Sequence, residues 1–247
     1  MHIFDTLIIG SGYFSAGYAL HGNCIICEEN QVCDNHFYLP LRDYTYVPYA
    51  PKTEEGKRLQ EIFVDLGLFS ETVQNLNGFE SGFCKYLTDS DIEILLKCRV
   101  IRAEKMENGI YDITIHTNEG LLHKYAKQVI DTREPQKDTW FTILFTSENI
   151  EADKEQLLRT FDGAYVEKAF YENWYALHIK TESYNENDIK LYVYNQWKAL
   201  DIHGKILYMA PVFYSKCEDN NVLLDSTYKN PIKAFEAGYF YAKEAAK

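Results

Sequence analysis

The chain has 247 residues and a mass of 28.8 kDa, enough for one large domain or two small ones. With 46% hydrophobic and 25% charged residues, it is neither a disordered nor a collagen-like sequence. Its 25 Lys and Arg against 37 Asp and Glu give a formal net charge of −12, a surface that repels phosphate backbones and excludes nucleic acid as an expected partner.

No apolar run reaches the ~18 residues of a membrane span, and a strand-like run starting at Ile3 leaves no room for a signal peptide. The expectation is a cytoplasmic protein with no membrane partner. Six cysteines, at 24, 27, 33, 84, 98 and 217, are too sparse for a disulfide scaffold and read as thiols of a reducing compartment.

Phe4 to Ile9 is a short, nearly continuous apolar run, the pattern of a strand covered on both faces. It enters Gly10-Ser11-Gly12-Tyr13-Phe14-Ser15 and a small-residue helix through Ala16, Gly17 and Ala19, which His21-Gly22-Asn23 stops. Cys24 to Cys27 follows as a second buried strand ending at Glu28-Glu29. Residues 37–95 read as mostly helical or irregular, with one clear helix after Thr53 carrying Leu59, Ile62, Phe63 and Leu66 and ending at Gly67.

From Arg99 the period changes to that of strands. Arg99 to Lys105, Tyr111 to Thr117 and Leu121 to Tyr125 form an antiparallel meander with turns at Asn108-Gly109 and Glu119-Gly120. Gln128 to Thr132 is a further buried strand. Pro135 to Asp138 is a polar break. Beyond it come aromatic-rich strands at Trp140–Thr146, Ala164–Ala169, Trp174–Thr181 and Lys205–Phe213, with a helix over Asn185–Leu200. The chain closes with Val222 to Asp225, a turn at Asn230-Pro231 and a helix from Ile232 to Ala246.

The order strand, glycine turn, helix, strand, acid is the arrangement that binds a dinucleotide. Gly10 permits the tight turn, Gly12 lets the backbone approach a pyrophosphate, and the helix start offers free N–H groups. Glu28, 18 residues after Gly10, stands where an acid accepts hydrogen bonds from ribose hydroxyls, with Glu29 as the register alternative; an acid there argues against a 2′-phosphate. Two features depart from the pattern: Ser15 replaces the third glycine, and the helix has room for only about two turns.

In these residues the chain resembles the FAD-dependent oxidoreductases that bind FAD with a Rossmann-like domain of the glutathione-reductase type. The likeness extends to the meander followed by Val129 to Arg133, and to Leu223-Leu224-Asp225 leading into the terminal helix. These stretches cover roughly half the chain in the family's order. The resemblance implies that Gly10, Ser11, Gly12, Tyr13, Phe14 and Ser15 hold the pyrophosphate and that Glu28 or Glu29 holds the adenosine ribose. It also implies that Val100 meets adenine, that Thr132 and Arg133 lie near the pyrophosphate or flavin, and that Asp225 lies near the ribityl chain. His36 and Phe37, with Asn35, fall where a loop passes the flavin. Leu224 and Arg133 stand where the family has glycine.

Other constellations carry less. Cys24-x-x-Cys27 has redox spacing, but residues three apart on a strand face opposite sides and no second pair completes a zinc site. Cys33-Asp34-Asn35-His36 reads as a loop with a hydrogen-bonded histidine that could also reach a flavin edge. His116, His123, His178 and His203 lack metal spacing, so no metal is expected.

The expected fold class is α/β: a Rossmann-like FAD/NAD(P)-binding domain with a central parallel sheet and an antiparallel meander, plus a smaller antiparallel β-sheet cap. The first domain takes residues 1–135 and 218–247, and the cap 136–217. The expected function, implied by the resemblance, is an FAD-dependent oxidoreductase moving a hydride or electron pair between a small organic substrate and flavin. A donor or acceptor partner would complete the turnover, since little chain remains for an NAD(P)H domain. The alternatives are a degenerate member acting as a binding module, motivated by Ser15, Arg133 and Leu224, and an NAD-linked dehydrogenase. No catalytic residue is assigned.

Overall fold

The computed structural model describes residues 2–30, 47–69, 78–133, 139–181, 185–210, 214–215, 222–228 and 230–245. The opening follows the sequence closely: β1 (Ile3–Ile9), α1 (Tyr13–Ala19) and β2 (Cys24–Cys27). After α2 (Glu54–Asp65) and α3 (Phe79–Thr88) come β3 (Glu93–Leu95), β4 (Arg99–Lys105), β5 (Tyr111–Thr117) and β6 (Gly120–Asp131). The remainder is β7 (Thr139–Thr146), α4 (Ile150–Thr160), β8 (Tyr165–Lys168), β9 (Trp174–Lys180), α5 (Glu186–Ala199), β10 (Ile206–Met209), β11 (Tyr214–Ser215) and α6 (Pro231–Ala245).

The first sheet has six strands in the order β3-β2-β1-β6-β5-β4. β3, β2, β1 and β6 run parallel, while β6, β5 and β4 form the antiparallel meander. The last meander strand and the buried strand expected after it are one continuous element. Its first half pairs β5 from Gly120 to Ala126, and its far half pairs β1 up to Asp131 opposite Ile9. The helices α2 and α3 agree with the helical reading of 37–95, and the short strand β3 departs from it. The sequence hides β3 because three residues cannot display a period.

α2 begins at Thr53, whose hydroxyl accepts the Gly56 N–H at 2.9 Å as an N-cap. Leu59 and Phe63 are buried as the spacing predicts, whereas Leu66, at the C-cap, is exposed. The second sheet is antiparallel, in the order β10-β7-β9-β8 with β11 also on β7. One of its faces carries Phe141, Ile143, Phe145, Leu177 and Ile179, packed with Leu157 of α4 and Ile189 and Val193 of α5. Leu144 and Ala176 from the opposite face join Tyr13, Leu59, Phe63, Phe83 and Phe235 in the core between the sheets. α4 was not anticipated; its charged surface leaves only Asp153 and Leu157 buried.

α1 is short, yet every one of its residues is buried. It crosses α6 backbone to backbone: a Cβ on Gly17 would lie 1.8 Å from the Phe235 carbonyl oxygen, and one on Gly238 would lie 1.9 Å from that of Phe14. This paired glycine crossing fixes the start of α1, and with it the turn that precedes it.

Candidate functional site

The C-terminal ends of β1, β2 and β6 meet at the glycine turn, the edge where open α/β sheets place their ligands. Gly10 has φ +99°, a left-handed conformation that suits glycine, and its N–H donates to the Cys27 carbonyl at 2.9 Å. A Cβ there would stand 2.8 Å from Thr132 Oγ1. Thr132 closes the turn from the β6 side: its N–H donates to Ile9 O at 2.9 Å and its hydroxyl reaches Ile9 O at 3.0 Å. The buried Ser15 hydroxyl lies 2.7 Å from Thr132 Oγ1. The serine at the third glycine position is thus accommodated by a polar contact.

Two carboxylates occupy the N–H groups of the turn. Glu28 is buried at the end of β2, and its Oε2 accepts from Ser11 N at 3.0 Å and Ser11 Oγ at 2.9 Å. Its Oε1 accepts from Asn30 N and Nδ2 at 2.9 and 2.7 Å. Asp225, only 5% exposed, receives Tyr13 N–H at 2.7 Å on Oδ2 and Phe14 N–H at 2.8 Å on Oδ1. It projects from a single 3₁₀ turn, Asp225–Thr227, between Leu224 and α6. Burial, with the Asp225 charge adding to it, pushes the nearby Tyr228 hydroxyl up to about 12.

Glu29 turns away from the glycine turn. It pairs with Arg133 at 3.1 Å and Arg99 at 3.7 Å. Of the two acids offered by the register, the buried one facing Ser11 is Glu28. Arg133 is held by Asp131 at 2.7 Å as well as by Glu29, and Asp131 above all keeps its guanidinium charged. Its Cγ lies 3.1 Å from the position of a Gly10 Cβ, so the arginine lies against the turn rather than leaving the gap a glycine would. Val100, half-buried on β4, pairs with Ile115 and packs on the core beneath β1 and β2. His36 and Phe37 lie outside the described residues, as do Asn35 and Cys33.

No sequence signal marks Asn30, which saturates one oxygen of Glu28, or a polar cluster in the second sheet. There His178, fully buried, has Nδ1 3.0 Å from Thr142 Oγ1 and Nε2 2.8 Å from Glu167 Oε1. A carboxylate only accepts, so Nε2 carries a proton, and in the neutral ring Nδ1 accepts the Thr142 hydroxyl. Tyr165 stacks on the imidazole at 4.4 Å. Thr142 pairs with His178 and Leu144 with Ala176, so the cluster shares the face turned to the core between the sheets. Four isolated residues on three strands have no spacing to reveal them.

Among the described residues no group of side chains is arranged to hold a metal ion, and no helix is long and apolar enough to cross a membrane.

No family model matches the chain, and no curated protein matches its sequence. Solved structures do match. An anhydrotetracycline hydroxylase from Streptomyces rimosus aligns over 99% of this chain and 63% of its own, at 12% identity and a TM-score of 0.56. A p-nitrophenol 4-monooxygenase from Pseudomonas putida aligns over 99% and 78%, at 12% identity and a TM-score of 0.53. A geranylgeranyl bacteriochlorophyll reductase-like protein from Thermoplasma acidophilum aligns over 98% and 78%, at 12% identity and a TM-score of 0.55. The chain therefore spans 63% of the first and 78% of the other two. At this identity the likeness establishes the fold.

The residues present fit a flavin dinucleotide in their donor chemistry. Carboxylate oxygens 2.7–3.0 Å from the N–H groups of Ser11, Tyr13 and Phe14 show that these amides converge on anionic oxygen. The buried acid at the end of β2 and the hydroxyls of Ser11, Ser15 and Thr132 complete the set. The same contacts show what a pyrophosphate would have to displace: Asp225 holds two of those amides and Glu28 a third.

Proposed function

We propose that this chain, which has the fold of the FAD-dependent oxidoreductases, binds FAD along the edge formed by Gly10–Ser15, Glu28, Thr132 and Asp225. It would there pass a hydride or electron pair between a small organic substrate and the flavin. The observation that carries this reading is the convergence of the turn, the buried acid, Thr132 and Asp225 from four separate parts of the chain on one strand edge. When bound, FAD supplies the electron chemistry; the protein supplies orientation, exclusion of water and electrostatics.

In this reading the amides of the turn and Arg133 hold the pyrophosphate, Glu28 accepts from the ribose, and Asp225 meets the ribityl chain. The substrate would meet the flavin beside the second sheet, on whose inner face the buried Thr142 and His178 are held with Glu167. An electron donor or acceptor comes from outside the chain.

A second reading is favoured by one specific observation. The amides of Tyr13 and Phe14 already carry Asp225, and Glu28 is saturated by Ser11 and Asn30, so the edge is satisfied by the protein alone. In this reading the fold serves as a binding module without catalysis.

The visible absorption spectrum of the purified protein, cofactor release on heating and a thermal-shift titration with FAD decide between them. Flavin bands or an FAD-dependent shift support the first reading, and Glu28→Ala should then weaken FAD binding by about 1–2 kcal/mol. A colourless protein that FAD does not stabilise overturns it in favour of the binding module. A shift with NAD and none with FAD would point to a dehydrogenase.

A further inference from the structure

The structure describes the cysteines at 24, 27, 84 and 98, of which Cys24, Cys27 and Cys98 are free thiols. Two of them meet. β3 runs parallel to β2 with Leu95 opposite Cys27, after which the chain turns back over the end of β2. Glu28 N–H donates to Leu95 O at 2.8 Å, and Cys98 N–H donates to Glu28 O at 3.0 Å. This reciprocal pairing sets Cys98 beside the residue that follows Cys27. Both side chains enter the same core cluster with Phe4, Leu7, Ile9 and Ile25, at 1% and 3% exposure, and each thiol acts on the other more strongly than any other group does. Cys24, the partner that sequence spacing offers Cys27, lies on the opposite face of the sheet with Ile8 and Ile26.

The two thiols are not equivalent. Cys98 lines a cleft of about 480 Å³ between residues 95–98 and the β5–β6 turn, residues 117–122, whereas Cys27 does not. The Cys98 Sγ–H donates to Leu95 O at 3.2 Å, and the neighbouring Cys27 thiol draws that of Cys98 below its usual value, while Cys98 and burial push that of Cys27 up. Access from the cleft therefore falls on Cys98.

We propose that Cys27 and Cys98 form a reversible thiol–disulfide pair, in which Cys98 reacts first, from the cleft, and Cys27 closes the bond. The oxidant is a small-molecule disulfide. The Cys98 thiolate attacks one of its sulfurs, releasing one thiol of the oxidant and leaving a mixed disulfide on Cys98. The Cys27 thiol, giving up its proton, then attacks the Cys98 sulfur, forming Cys27–Cys98 and expelling the second thiol. Two protein thiols are oxidised and one disulfide is reduced to two thiols. The pair lies one residue from Glu28, whose backbone it brackets, and the proposal stands whether or not flavin binds at that edge.

The test treats the full-length protein, under native conditions, with oxidised glutathione. Remaining thiols are alkylated and the peptides mapped by mass spectrometry before and after dithiothreitol. The expected result is a linked Cys27–Cys98 peptide that dithiothreitol releases. Cys98→Ser should leave Cys27 unmodified, and Cys27→Ser should leave glutathione trapped on Cys98. The wild-type map decides even where a variant fails to fold. If both thiols remain free in folded protein, if glutathione stays on wild-type Cys98 without closure, or if the link joins any other cysteine, the proposal is overturned.

Discussion

Asp225 occupies the space that a side chain on Gly12 would need. A Cβ on residue 12 would stand 2.3 Å from Asp225 Oδ2, the oxygen that receives the Tyr13 N–H. Gly12 is therefore required by the protein's own cap on α1, independently of any pyrophosphate. Two charge-assisted hydrogen bonds from buried amides are lost in Asp225→Ala, which should cost about 2–4 kcal/mol of stability with no flavin present. Gly12→Ala should also destabilise the flavin-free protein. Urea unfolding of the apoprotein checks both; wild-type midpoints would show that the cap does not support α1. A flavin-binding defect in Gly12→Val is thus interpretable only beside its stability.

The crossing of α1 on α6 makes a sharper prediction. A methyl on Gly17 or Gly238 would sit within 2 Å of a carbonyl oxygen of the facing helix, and backbone cannot rotate aside as a flexible side chain can. Gly17→Ala and Gly238→Ala should each cost upwards of about 3 kcal/mol, more than helix propensity alone could return. Thermal unfolding measures this, and a wild-type Tm in either variant would mean that the helices are not in backbone contact.

Much of the fold was legible because its signals are local. The apolar run before Gly10, the turn signals at Gly109 and Gly120, and the caps at Thr53 and Asn185 each declare an element within a few residues. The single strand Gly120–Asp131 was divided in two because its partner changes from β5 to β1 near Ala126, and its burial pattern changes with it. At the candidate site the glycine turn and Glu28 were legible for the same local reason. The attachment of Asp225 to Tyr13 and Phe14 spans over 200 residues, and the approach of Cys98 to Cys27 and the His178 cluster likewise depend on tertiary pairing. No spacing rule encodes these.

Glu236 pins the entry to α2 onto α6. Fully buried, its Oε1 accepts the N–H groups of Lys52 and Thr53 at 2.7 and 2.6 Å and the Thr53 hydroxyl at 2.8 Å, while Oε2 accepts Tyr49 O–H at 2.7 Å. Burial and this carboxylate push the Tyr49 hydroxyl upward. Glu236→Ala leaves the N–H groups of Lys52 and Thr53 and the Tyr49 hydroxyl without their acceptor, so it should cost about 2–4 kcal/mol. Faster hydrogen exchange at the start of α2 should accompany the loss. Unchanged exchange there would show that the α2 N-terminus holds without Glu236.

Cys24 gives stability a defined alkaline limit. Burial, with a smaller contribution from the Asp5 charge, raises its thiol from 9.0 to about 11. The protonated form is the one the fold favours, so between these values the native state binds more protons than the unfolded chain. Stability from this group is complete below about pH 9 and falls as pH rises toward 11, by about 2–3 kcal/mol for a shift of this size. Urea unfolding of wild type and Cys24→Ala across this range isolates the effect, because other alkaline titrations are common to both. The wild type should lose more stability than the variant as pH rises. Parallel curves would show that Cys24 ionises as freely in the native state as in the unfolded one.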